Sequence, residues 1–370
     1  MRISDRYIGQ QVLLGTLYAV LVLGMVLVLG NLFKQIQPLL VDLKAPWPLV
    51  VRFVINVLPL SLMYTIPWGF LSAVLLVFGR LSSGQEITSF RVAGLSLVRL
   101  SAPVFVIGAL LSLLSLWLNL NVVPTSKATV RHLVTEQAAK DPRSLLKPGV
   151  VQGDLKGSGN VTQKILIEGE SGEWVDGFHL YVLPKAGAGG GTPTYVHASR
   201  AALSVREEDG ERQLRVKLEN AYFENRGIDG QTNLVFAAKA EPLVFPLKNS
   251  RDRRKANSMT NEEIELEIAQ NPDLDPEKKL KMQIEVTKRY SFSMACLAFA
   301  FVAVPLGMQT RRRDTSRGLI ISLLIGTGYF LLTMLADQFE THLGTTAMLW
   351  APNVACVLLG LFLFRRARYK

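Results

Sequence analysis

The chain has 370 residues, and its 49% apolar and 19% charged residues, with a mean hydropathy of +0.25, exclude a purely soluble enzyme of that size. The net charge of +11 does not make it a nucleic-acid binder, because residues 124–290 hold 25 basic and 24 acidic side chains and the excess lies in short stretches beside apolar runs. Lys and Arg concentrated there set the orientation of a membrane protein, so no nucleic-acid partner is expected.

The apolar runs are Leu13–Phe33, Val54–Phe78, Ser101–Val123, Ser291–Met308, Gly318–Ala336 and Ala347–Phe364, with lengths of 21, 25, 23, 18, 19 and 18 residues. About 20 helical residues cross the hydrocarbon of a bilayer. The expected fold class is therefore an α-helical integral membrane protein with six transmembrane helices, three before and three after an inserted all-β domain. The first run is too long for the apolar stretch of a cleavable leader and lacks a small-residue cleavage site, so it is expected to stay as a helix. The short flanks on one side carry 13 basic residues: Arg2, Arg6, Arg80, Arg91, Arg99, Arg311, Arg312, Arg313, Arg317, Arg365, Arg366, Arg368 and Lys370. The other side has Lys34, Lys44 and Arg52. This asymmetry predicts both termini in the cytoplasm and residues 124–290 outside, in the periplasm of a bacterium.

Lys34 ends the first run on the outer side, with Gln35, Gln37 and Lys44 after it and Arg52 across the loop. Such residues either snorkel to the headgroups or form a basic ring for an anionic lipid headgroup. Asp337 and Glu340 read as flank residues of the fifth run. Between the second and third runs, Gly79–Gly94 predicts a short cytoplasmic helix over about 82–94. Ser83 or Gly84 would cap it, Glu86 would sit in its first turn, and Ile87, Phe90 and Val92 or Ala93 would give it a partly apolar face. A helix in that place is either a passive linker or a lever gripped by a cytoplasmic motor.

The insertion alternates apolar and polar residues at Phe178–Val182 and Leu214–Glu219, with further strand candidates at Val161–Ile167, Tyr195–Val205 and Asn233–Phe245. Gly157–Asn160 and the Gly187–Gly191 tract read as turns and loops. Short strands at this spacing predict a β-sandwich or jellyroll over residues 124–259. A helical connector over 260–290 follows, opening with Thr260 as a helix cap and continuing through Pro276–Tyr290 into the fourth run.

Catalytic signatures are missing. The chain has no Gly-Lys pair and hence no phosphate-binding P-loop. Gly94-Leu95-Ser96 lacks the closing glycine of a nucleophile elbow. His132, His179, His197 and His342 are far apart in sequence without metal-ligand spacing, and Cys296 and Cys356 lie inside apolar runs where a buried thiol is ordinary. No metal, cofactor or catalytic residue is expected.

With these features in place, the chain resembles the lipopolysaccharide-export permeases of the LptF/LptG family. The matching stretches are Gly79-Arg80-Leu81 through Glu86-Ile87 to Ala93-Gly94-Leu95, then Val304-Pro305-Leu306-Gly307 with the following arginines and Arg317-Gly318, and Trp350-Ala351-Pro352-Asn353. The resemblance implies a half-transporter: two paralogous six-span subunits enclose a lipid cavity that opens between the first span of one and the fifth of the other. It also implies a dimer of a separate cytoplasmic ATPase and a periplasmic jellyroll bridge protein that receives the lipopolysaccharide. On that basis Glu86, Ile87, Phe90 and Arg91 are the expected ATPase-coupling residues, and Lys34, with Arg52 and Lys44, the expected substrate-binding residues. The competing expectations are an ion-coupled carrier working alone, which needs ionisable residues in mid-span, and a membrane-anchored periplasmic adaptor.

Overall fold

The computed structural model describes residues 3–37, 47–140, 148–156, 161–171, 174–184, 194–208, 211–226, 232–239, 241–247, 256–272, 274–308, 315–336 and 342–368. Lys44, Arg311–Arg313, Asp337, Glu340 and the turns Gly157–Asn160 and Gly187–Gly191 lie outside the described residues. The chain divides into a helical unit, residues 1–36, 47–130 and 255–370, and a sheet unit, residues 37–46 and 131–254.

The helical unit contains α1 (Ile3–Gln37), α2 (Trp47–Ser83), α3 (Glu86–Val92), α4 (Leu97–Trp117), a π-helical turn (Leu118–Val122) that leads into α5 (Val123–Lys140), α6 (Asn261–Gln270), α7 (Pro276–Ser293), α8 (Ala295–Met308), α9 (Thr315–Leu335) and α10 (His342–Arg368). Six of its helical stretches are long and apolar enough to cross a membrane: Ile3–Gly30, Trp47–Ser83, Leu97–Leu133, Pro276–Met308, Gly318–Leu335 and Leu343–Arg366. Each contains, or overlaps nearly end to end, one of the apolar runs read from the sequence. The helices run longer than the runs because charged flanks keep helical backbone beyond the hydrocarbon depth.

Packing in this unit centres on α8, where Ala295, Cys296, Phe299, Ala300, Ala303 and Val304 join Phe70, Leu71, Val74, Leu75, Phe78 and Leu81 of α2 in one buried cluster. Small residues let the helix backbones approach closely, as apolar membrane bundles require. A Cβ at Gly307 would lie 2.7 Å from Phe78 Cβ, and one at Gly360 would lie 2.4 Å from the Phe301 carbonyl oxygen. The apolar window of α1 is 17% buried against 72% for the α7–α8 stretch, so α1 is attached to the bundle along a narrow seam. Ile8, Val12 and Thr16 form that seam, while Leu13, Leu17, Leu21 and Met25 are exposed.

The sheet unit holds β1 (Gln152–Lys156), β2 (Val161–Ser171), β3 (Trp174–Pro184), β4 (Thr194–Glu208), β5 (Glu211–Arg226), β6 (Thr232–Lys239) and β7 (Leu243–Leu247). The described strands form one antiparallel sheet in the order β1-β2-β3-β4-β5-β6, and β7 returns to pair with β5. Consecutive neighbours make this a meander, and a second sheet of the expected sandwich or jellyroll is not among the described residues. The single strand read over Asn233–Phe245 is two strands that share one edge of β5: β6 pairs with Glu219–Arg226 and β7 with Arg212–Val216. Pro242, between them, fixes φ and has no N–H to give to a ladder. The alternation was read correctly elsewhere. Phe178, Leu180, Val196, Val216 and Leu218 fill one buried face, and the polar and aromatic residues between them fall on the other.

Candidate functional site

The segment between the second and third long helices contains a short helix, α3, between two turns. α2 continues through Ser83, so Ser83 and Gly84 close that helix and do not cap the next: the Ser83 hydroxyl donates to the Arg80 carbonyl (3.0 Å), as does the Gly84 N–H (2.9 Å). Gln85 turns the chain with φ 56° and ψ 14°, the left-handed conformation that ends helices, and no side chain caps the N-terminus of α3. A non-glycine residue there costs about 1–2 kcal/mol, which the surrounding hydrogen bonds must offset. The helix is accordingly shorter than expected, Glu86–Val92. Its far end is a Schellman motif, with Gly94 at φ +85°, Gly94 N–H bonded to the Arg91 carbonyl and Leu95 N–H to that of Phe90. The Ser96 hydroxyl then accepts from Arg99 N–H as the cap of α4. Gly94 and Ser96, which resembled part of a nucleophile elbow, are therefore helix punctuation.

Ile87 is 7% exposed and belongs to the bundle core, with Phe90 packed partly against that core, so these two residues attach α3 to the bundle. Arg91 and Thr88 are exposed, and Val92 is 85% exposed, off the apolar face on which it was expected. Glu86 is half-buried, and its Oε2 accepts a hydrogen bond from the hydroxyl of Tyr7 on α1 at 3.1 Å. The Ser82 hydroxyl donates to the Met308 carbonyl at the end of α8 (2.7 Å). α3 thus contacts α1 through Glu86, while the end of α2 contacts α8 through Ser82. The Tyr7 contact escaped the sequence reading because 79 residues separate the partners.

At the opposite end, Lys34 lies on the last turn of α1, and Arg52 is exposed in the second turn of α2, which begins at Trp47. Arg52 uses its backbone carbonyl to accept from Asn56. These two residues are on helices joined by the segment containing Lys44.

A second polar assembly, unanticipated from sequence, binds the Ala256–Asn261 segment to α7. Arg289 is 4% exposed and donates to Asn261 Oδ1 (2.7 Å), the Met259 carbonyl (2.7 Å) and the Ala256 carbonyl (3.1 Å), with Glu285 Oε1 3.6 Å from its Nε. The expected cap of α6 is present as a full capping box between Thr260 and Glu263. Deeper in the bundle, Asn353 donates to the Ser291 carbonyl and hydroxyl (2.9 and 3.0 Å) and accepts from Tyr329 (3.2 Å), joining α7, α9 and α10. The Trp350–Asn353 stretch therefore carries a structural bond in the bundle.

On the polar face of the sheet, strand register brings together two of the histidines that sequence separation kept apart. His179 and His197 are direct cross-strand partners, with Nδ1 atoms 3.2 Å apart. His197 is held below its ordinary pKa, first by burial among its neighbours and then by His179, while burial and hydrogen bonds with Tyr222 and Tyr181 push the Tyr195 phenol up. Among the described residues no three His, Cys, Asp or Glu side chains converge on one point.

One comparison decides the identity of this assembly. The family model for the lipopolysaccharide export system permease LptF/LptG matches residues 6–366, nearly the whole chain. The chain belongs to that family. It is a membrane permease subunit, not an enzyme, and the apolar helices fit a multi-pass inner-membrane protein. A search of curated proteins gives no match.

Proposed function

We propose that the chain is one of the two paralogous permease subunits of an ATP-driven lipopolysaccharide exporter. The match to LptF/LptG over residues 6–366 carries this reading. In it, three transmembrane helices lie on each side of a periplasmic jellyroll-like domain, and residues 260–290 connect that domain to the fourth span. The described strands of the domain run from Gln152 to Leu247, because Val123–Lys140, expected inside it, is helical. Both termini are cytoplasmic, in keeping with the 13-to-3 basic asymmetry of the flanks. A cytoplasmic ATPase dimer grips α3 through Glu86 and Arg91, while Ile87 and Phe90 transmit its motion into the core.

The first span is the movable element of this mechanism. Its narrow seam, and its hydroxyl contact from Tyr7 to Glu86, support a route by which movement of the lever shifts α1. Lipopolysaccharide enters from the outer leaflet of the inner membrane, and Lys34, Arg52 and Lys44 are the proposed contacts to its phosphates. The lipid then passes to a periplasmic bridge protein of jellyroll form. Among the described residues the one buried charged side chain is Arg289, near the outer end and committed to the connector, which favours an ATP-driven partner complex over a carrier working alone.

The test is crosslinking of lipopolysaccharide to the permease in the assembled complex, with and without ATP. A phosphate pair at Lys34 is worth about 1–3 kcal/mol, so Lys34→Glu should reduce crosslinked lipid roughly 5- to 150-fold with assembly intact. Lys44→Glu should reduce it less. Equal losses at both positions would assign the effect to general surface charge, and failure to co-purify with any ATPase would overturn the exporter reading.

A further inference from the structure

His179 on β3 and His197 on β4 stand opposite each other on the polar face of the sheet. Glu168 on β2 places Oε1 3.0 Å from His179 Nε2, and its side chain is 67% exposed whereas that of His179 is 13% exposed. With Nε2–H donating to this carboxylate, the lone pair of His179 is on Nδ1, the atom that faces His197 Nδ1 at 3.2 Å. The Tyr195 hydroxyl also reaches that nitrogen, at 2.6 Å. A hydrogen donated by Tyr195 satisfies the single lone pair and leaves none for His197.

The separation of the two nitrogens matches a different bonding pattern. Two imidazole nitrogens that ligate one tetrahedral cation at about 2.0–2.1 Å lie about 3.3 Å apart. A ligating histidine ordinarily gives its other N–H to a carboxylate, which orients the ring and raises its basicity, and Glu168 stands in that place. Tyr181, Tyr195 and Tyr222 pack around the pair, with the His197 and Tyr222 ring centres 5.1 Å apart and those of Tyr181 and Tyr195 4.6 Å apart. These rings hold both imidazoles in place at little entropic cost.

We propose that His179 Nδ1 and His197 Nδ1 bind one divalent transition-metal cation on the outer face of the sheet. The cation takes the His179 Nδ1 lone pair from the Tyr195 hydroxyl, which turns aside, water completes the coordination, and Glu168 is the outer-sphere partner of His179. Two neutral nitrogen donors select Cu2+ first, then Zn2+ or Ni2+, and reject Mg2+ and Ca2+, which require oxygen ligands. The three strands that supply the groups are adjacent in the sheet, so occupancy ties β2, β3 and β4 together across their polar face.

The probe is Cu2+ added to the full chain in detergent micelles, prepared without a polyhistidine tag and stripped with a chelator beforehand. Retained copper is counted after desalting, and electron paramagnetic resonance reads the ligands. One retained Cu2+ per chain with coupling to two imidazole nitrogens is expected. His179→Gln and His197→Gln should each lower affinity tenfold or more, and Glu168→Gln about tenfold. His132→Gln and His342→Gln should leave it unchanged. The spectrum of the unsubstituted chain keeps the test valid if a variant folds poorly. No copper retained by that chain, a spectrum without two histidine nitrogens, or equal binding by the His179 and His197 variants and the parent would overturn the proposal.

Discussion

Replacing Arg289 with alanine should release the Ala256–Asn261 segment from α7. The guanidinium is 4% exposed and makes two hydrogen bonds of 2.7 Å and one of 3.1 Å to residues of the Ala256–Asn261 segment. Glu285, with a side chain 19% exposed, would lose its 3.6 Å partner. Hydrogen bonds to a charged group contribute about 1.5–3 kcal/mol each, but three bonds on one group do not add independently. Removing one partner of a buried ion pair costs about 3–5 kcal/mol, and the lower end applies because Glu285 and Asn261 keep some access to water. A loss of about 3 kcal/mol raises the locally opened population roughly a hundredfold. Limited proteolysis between residues 256 and 271, in detergent at low protease, should therefore accelerate by about that factor. Arg289→Lys should fall between, since one ammonium cannot reach all three acceptors in the fork geometry of arginine. The Lys281–Glu277 pair is the control. Both side chains are 69% exposed, and Lys281→Ala should change nothing measurable. Cleavage of the Arg289→Ala chain at the parent rate would refute the clamp.

On the proposed coupling route, Glu86→Lys should abolish ATP-driven lipid release, because it removes the Tyr7 bond and reverses the charge offered to the proposed ATPase; Tyr7→Phe, which removes the internal bond alone, should slow release a few-fold with association of that partner unchanged. Normal release by the charge-reversed chain, measured in proteoliposomes, would remove Glu86 from the coupling route. Gly307→Val places a Cβ 2.7 Å from Phe78 Cβ and should cost about 1–3 kcal/mol by overpacking, read as a lower unfolding temperature in detergent, whereas Gly24→Ala meets no atom within 4 Å and should be neutral. Asn353→Leu removes the bonds to Ser291 and Tyr329 and should cost about 1–2 kcal/mol in a detergent unfolding titration.

What the sequence disclosed follows from the range over which each constraint acts. The six long helices were legible because a bilayer imposes a length and an apolar composition on every crossing segment, independently of its neighbours. The Thr260–Glu263 box was legible for a similar reason: both partners lie within one helical turn. The segment between the second and third spans holds a helix, but a shorter one, Glu86–Val92, than the expected 82–94, and it is not capped by Ser83 or Gly84. The stop of α2 at Ser83 depends on the packing of Leu81 and on the Ser82 bond to Met308, 226 residues away, and only that stop makes Gln85 the turning residue. Arg289 was hidden by the same kind of distance, since a flank-charge count cannot separate a solvated arginine from one enclosed by Ala256, Met259 and Asn261.

His179 and His197 make the point most sharply. Their 18-residue separation carries no ligand spacing, yet the pairing register of β3 with β4 makes them neighbours, and a one-residue slip would turn one of the two to the opposite face. That register is held by the other side of the sheet, where Phe178, Leu180, Val196 and Ala198 must all point into the buried cluster. The apolar alternation, read from sequence as evidence for strands, therefore also positions the polar face that it leaves exposed. Disrupting the buried face should disturb the histidine pair even when both histidines are kept.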